Sequence, residues 1–152
     1  MIDGFGGQVT EALEAPYLDL ASATNFAAYE QRYSGSARRN RRRLFRRLDE
    51  QGAITFEELT SGKDTRELVK TAVQLKRKWL VSRGLVSKAY ADDRIISFFS
   101  DVAEAAEKPA GCRVAVLRMA GRPVAIEVAI GCRERIALHI VVFDLEYEKS
   151  GA

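Results

Sequence analysis

Between Cys112 and Phe143 the chain contains three consecutive Val- and Ile-rich segments, CRVAVLRM, PVAIEVAIG and RIALHIVVF. Gly and Pro punctuate them: Ala-Gly-Arg-Pro (120–123) joins the first two, and Gly-Cys-Arg-Glu (131–134) joins the second and third. β-branched residues between such punctuators predict a meander of antiparallel strands. Positions of both parities are apolar, so both sheet faces are expected to be covered, with the helices upstream as the cover.

Upstream, residues 1–16 are Gly-rich and acidic and read as a loose lead-in to one domain over 17–152. Tyr17–Leu20 reads as a short strand or extended docking segment. Ala21–Tyr33 is predicted as a short helix with Phe26, Tyr29 and Tyr33 on one side. A Ser cap then opens ARRNRRRLFRRLDEQG, with Gly52 placed as a C′ glycine. Ile54 and Phe56 mark a short strand over 53–60. Leu68, Ala72, Leu75 and Trp79 define a helix to about Ser82, capped by Asp64 or Ser61 and ended by Gly84. Residues 84–91 read as a linker. Asp92 or Asp93 caps a further helix that turns Ile95, Phe98, Phe99, Val102 and Ala106 inward, until Pro109-Ala110-Gly111 stops it.

At 152 residues the chain has room for one domain with a real core. Its two cysteines, Cys112 and Cys132, lack CxxC spacing, and one histidine accompanies them. That pattern argues against a metal site and for plain thiols in a reducing compartment. No apolar run reaches the roughly 18 residues of a membrane span, and the N-terminus lacks the regions of a signal peptide, so the cytosol is the expected location.

Seven arginines fall between Arg38 and Arg47. On a helical wheel Ala37, Leu44 and Leu48 make a narrow apolar stripe that includes Arg41; Arg39, Arg42 and their neighbours cover the rest. The functional reading is an anion-binding or nucleic-acid-binding helix, with Arg39, Arg41 and Arg42 as candidates for contact with an anion or a partner. The plain reading is a solvated face, or ion pairs with Asp49, Glu50 and later glutamates. Net charge is only +3 and no aromatics interleave for base stacking, so nucleic acid is not expected as a partner.

Two residues stand out in the strands. Glu127 puts a carboxylate in the middle of PVAIEVAIG, as a general base or as the partner of an arginine such as Arg41 or one on a neighbouring strand. His139, on the face of Ala137, Val141 and Phe143, reads as a core or rim histidine, or as a base.

As a set, five pieces resemble a known family: YLDL, SGSARRNRRRLFRRLDEQGAITFEEL, LKRKWLVSRG, CRVAVLRMAGRPVAIEVAI and LHIVVFDLEYEKSGA. The resemblance is to the CelD-like group of cellulose biosynthesis within the GNAT acetyltransferase superfamily, related to the Fem aminoacyltransferases. It implies an α/β (α+β) fold: a mixed, largely antiparallel sheet flanked by helices. It implies transfer from acetyl-CoA or another acyl-CoA to an amine or hydroxyl acceptor, in a setting of exopolysaccharide or cell-envelope assembly. The donor is expected beside the strand Arg135–Phe143, with Val142, Phe143 and Asp144 in contact and the pyrophosphate on backbone N–H groups of Ser150, Gly151 and Ala152. The family pattern continues past Ala152. The expectation is therefore a sheet incomplete at its C-terminal end, poor activity of these residues alone, and self-association through the unpaired edge. A Fem-like transferase fed by aminoacyl-tRNA and a non-catalytic module docking an anionic partner are the competing readings.

Overall fold

The computed structural model describes residues 17–60, 62–105, 110–132 and 135–150. Its contacts divide the chain into two compact units, Met1–Arg38 and Arg39–Ala152.

In the first unit, helix α1 (Phe26–Glu30) is capped by Asn25, whose side chain accepts from the Ala28 N–H at 2.9 Å. Phe26 stacks on Tyr29, Tyr29 meets Tyr33 edge to face, and the two phenol oxygens lie 2.8 Å apart. Tyr17–Leu20 is exposed and forms no strand, because the Asp19 carboxylate accepts from the Ala21 N–H and turns the chain there. Residues 1–16, expected to be a loose lead-in, lie outside the described residues.

Helix α2 (Gly35–Asp49) starts in the first unit and ends in the second. Ser34 caps it, accepting from the Ala37 N–H at 3.2 Å. Its end corrects one expectation. Gly52 does not take the left-handed conformation of a C′ glycine. Closeness matters there instead, since a Cβ would stand 3.3 Å from the Met119 side chain.

The second unit continues with β1 (Ile54–Leu59), α3 (Lys63–Ser82), α4 (Lys88–Ala91), α5 (Arg94–Ala105), β2 (Ala110–Met119), β3 (Arg122–Cys132), β4 (Arg135–Phe143) and a 3₁₀ turn (Leu145–Ser150). The four strands pair antiparallel in the order β1-β2-β3-β4. This is the largely antiparallel sheet with helices that the sequence led us to expect. The β2–β3 hairpin turns on two residues, Ala120 and Gly121, both at positive φ. Such turns match the right-handed twist of the flanking strands. Arg122 and Pro123, expected in the turn, begin β3 instead, and Pro123 sits at a register shift where a missing N–H is tolerated. Gly131 and Cys132, expected in the next connection, end β3 instead.

Strand alternation assigns the two faces. Val114, Val116, Ile126, Val128, Ile140 and Val142 are buried and pack with Leu68, Val69, Ala72 and Val73 of α3 and Phe99 and Ala103 of α5. α5 departs from expectation at Phe98: Phe99, Ser100 and Ala103 are buried and Ile95 and Val102 pack against the same core, while Phe98 is exposed and meets Phe99 edge to face; Ala106 lies outside the described residues. α3 ends in a Schellman motif, with the Leu85 N–H on Leu80 O (2.9 Å), the Gly84 N–H on Val81 O (3.0 Å) and Gly84 left-handed at φ 65°. Its N-cap is Gly62 rather than Asp64, which lies in the first turn; Ser61 is outside the described residues.

The second face departs from expectation. Leu48 of α2 and Tyr147 of the 3₁₀ turn cover only the corner formed by Ile54, Leu117, Met119 and Val124. Phe56, Ile136, Leu138 and Val141 remain 50–67% exposed. Both parities are apolar, yet α3 and α5 pack together on one side.

Candidate functional site

Glu127 lies on this open face. Its chain neighbours Ile126 and Val128 are fully buried toward α3 and α5, so its carboxylate points the other way. It is half-buried, and its register partners are Ala115 on β2 and Val141 on β4. The arginines that could have paired with it are engaged elsewhere: Arg113 with Glu58, and Arg118 with Glu57 at 3.2 Å. Among the described residues Glu127 has no hydrogen-bond or ion-pair partner.

His139 is at the opposite face. Val128 pairs with Ile140 and Ala129 with Leu138, which leaves His139 as the extra residue of a β-bulge. The bulge turns its ring toward α5, 5.7 Å from the Phe99 ring, and its carbonyl accepts from the Tyr90 hydroxyl at 3.4 Å. Val141, Phe143 and His139 therefore do not share one face as the simple alternation implied. Glu127 and His139, the two candidate bases, are separated by the sheet.

β4 pairs with β3 alone among the described strands, so its other edge is open. Which backbone groups face that edge follows from one bond. The Asp144 N–H donates to Val124 O at 2.8 Å, so Asp144 and Val142 turn their main chain toward β3. In an antiparallel ladder the direction alternates. Val141 and Phe143 therefore present N–H and C=O outward. Of the three donor-contact residues named from the resemblance, only Phe143 has free main-chain groups on that edge. Val142 is buried in the core. The Asp144 carboxylate accepts from Arg122 at 2.6 Å and from the Glu146 N–H at 3.2 Å, holding the 3₁₀ turn in place. The bond from Arg122 to Asp144, followed by the nearby Glu146 charge, raises the pKa of Arg122 above its ordinary value. The sequence offered no signal for Val141; only the register fixes which residues face out.

Arg83 at the end of α3 pairs with Glu148, tying the 3₁₀ turn to the helix layer. Ser150 closes that turn, while Gly151 and Ala152 lie outside the described residues. Arg39, Arg41 and Arg42 project as exposed residues of α2. Cys112 is buried, and burial pushes its thiol pKa up, away from reactivity. Among the described residues no group of three or more His, Cys, Asp or Glu could hold a metal ion. No helix there is long and apolar enough to cross a membrane.

An edge strand with outward amides, a bulge at its middle and a carboxylate one strand away make an antiparallel sheet that can take an extended, amide-bearing ligand alongside it. The model of the Acetyltransferase (GNAT) domain family matches residues 35–152, more than half of the chain. The chain belongs to the GNAT acetyltransferase domain family. Among curated proteins and among solved structures, nothing matches the chain.

Proposed function

We propose that the chain carries the donor edge and the base of an acyltransferase that uses acetyl-CoA or another acyl-CoA. The observation that carries this is the unpartnered Glu127 carboxylate, directly across the ladder from Val141, whose main chain faces the open edge. The outward N–H and C=O groups of Val141 and Phe143 fit the amides of an extended pantetheine arm, which would add to the sheet as a strand does. When bound, acyl-CoA supplies the thioester carbonyl that is the acyl source. Backbone N–H groups at Ser150, Gly151 and Ala152 are the expected hold on its pyrophosphate.

Glu127 then takes the proton from the amine or hydroxyl of the acceptor. Ala115 and Ala125 leave room above the sheet on either side of that carboxylate. The acceptor belongs to exopolysaccharide or cell-envelope chemistry on the strength of the CelD-like resemblance, and the site of action is cytoplasmic. His139 is the second candidate base, and its place beside Phe99 favours a role in packing.

Kinetics on variants separate the two. Glu127→Gln is expected to lower kcat about 100-fold or more with little change in the KM for acetyl-CoA. His139→Gln is expected to leave kcat within a few-fold. The reverse pattern would move the base to His139.

A further inference from the structure

We propose that α2 is a docking helix for duplex DNA, through the face formed by Arg39, Arg42, Arg43, Arg46 and Arg47. Every one of these five side chains is exposed. Among the described residues none of them has a carboxylate partner. Arg43 donates to Asn40 Oδ1 at 2.8 Å and Arg46 to the Arg42 carbonyl at 3.4 Å. Of the later glutamates, Glu57 is used by Arg118, Glu58 by Arg113 and Glu67 by Lys70. Nor does the core explain the helix, whose one buried residue is Leu48. Arg39 with Arg43, Arg42 with Arg46 and Arg43 with Arg47 are like-charge pairs at i, i+4, which disfavour the helix until an anion neutralises them.

The shape of the charge selects the partner. At 3.6 residues per turn the five arginines cover an arc of about 140°, over roughly 12 Å of helix axis. A strip-like acidic peptide would meet a narrow line of such a surface. A groove with a wall of phosphates on each side meets the whole arc. The major groove of B-DNA is about 12 Å wide and admits an α-helix, whereas that of an A-form RNA duplex is too narrow. All five cations are arginine rather than lysine, which suits bidentate contact with phosphate or guanine. Asn40 borders this arc, about 20° beyond Arg47 on the helical wheel, as an amide able to read a base edge. The lack of interleaved aromatics argues against unpaired bases, which need stacking, and leaves duplex binding untouched.

The test is fluorescence anisotropy with the 152-residue chain and a labelled DNA duplex of about 20 bp, titrated with salt, beside an RNA duplex and polyglutamate. The log of the binding constant is expected to fall with log salt at a slope of about −4 to −5. Arg39→Gln alone should reduce that slope by about 1, and the combined Arg39, Arg42, Arg43 and Arg46→Gln variant should bring it close to −1. Circular dichroism checks that the helix persists. Replacing Lys63, Lys78, Lys88 and Arg135 by Gln removes equal charge elsewhere and should weaken binding far less. No binding at low salt, equal loss in the two variants, or RNA or polyglutamate bound as tightly as DNA would overturn the proposal.

Discussion

Ala120 and Asp92 show how single residues set the local structure. Ala120 sits at φ 48°, where a Cβ is strained, and the hairpin needs that conformation. Ala120→Asn, which tolerates the left-handed region, is expected to raise stability by about 0.5–1 kcal/mol in thermal or urea unfolding. Asp92 opens α5: its carboxylate takes the Arg94 guanidinium at 2.5 and 2.8 Å and the Arg94 N–H at 2.9 Å. The guanidinium bond first, then the backbone bond, lower its pKa to about 2. A lowered carboxylate pKa adds stability above the unfolded value and loses it as pH falls toward the folded one. Asp92→Asn should therefore flatten the fall in melting temperature between about pH 4 and pH 2. Glu127 was visible in the sequence as a misfit carboxylate in an apolar strand. Its lack of a partner was not, because that depends on Glu57 and Glu58 having already taken Arg118 and Arg113.

At the scale of elements, α3 and α5 carry the molecule's main packing and also its polar misfits. Thr65 and Ser100 are completely buried, and neither hydroxyl has a hydrogen-bond partner among the described residues. Ser100→Ala and Thr65→Val should be neutral or stabilising by up to about 1 kcal/mol. Ile140→Ala, which empties a fully buried position against the same helices, should cost about 2–5 kcal/mol. Gly84→Ala should cost about 1 kcal/mol through the Schellman turn. The strands and α3 were legible because Val/Ile runs and a 3.6-residue apolar period are strong local signals. The exposure of Phe98 was not, since Phe98 and Phe99 adjoin on the helical wheel and both read as inward until the facing helix decides between them. The bulge at His139 was hidden for a similar reason: it is a property of the pairing of β3 with β4 and not of either segment.

For the whole molecule, the asymmetry of the sheet is the central fact. One face is sealed by α3 and α5; the other holds Glu127 and a row of exposed apolar side chains up to an open edge. The sequence pattern, apolar on both parities, suggested two covered faces, because composition cannot say where the helices pack. Self-association through the open edge is an expectation to be checked by sedimentation over a range of concentrations, where it would appear as a rising average mass. The most direct test of the account is acetyl-CoA binding by calorimetry, on the chain and on Val141→Pro. Proline removes the outward N–H of Val141 while leaving the bonds between β3 and β4 intact, and a thermal melt confirms that the sheet survives. Binding by the chain is expected, with a loss of about 3- to 10-fold in Val141→Pro, one hydrogen bond's worth. Equal affinity in the two proteins, or none in a folded chain, would contradict a donor laid along β4.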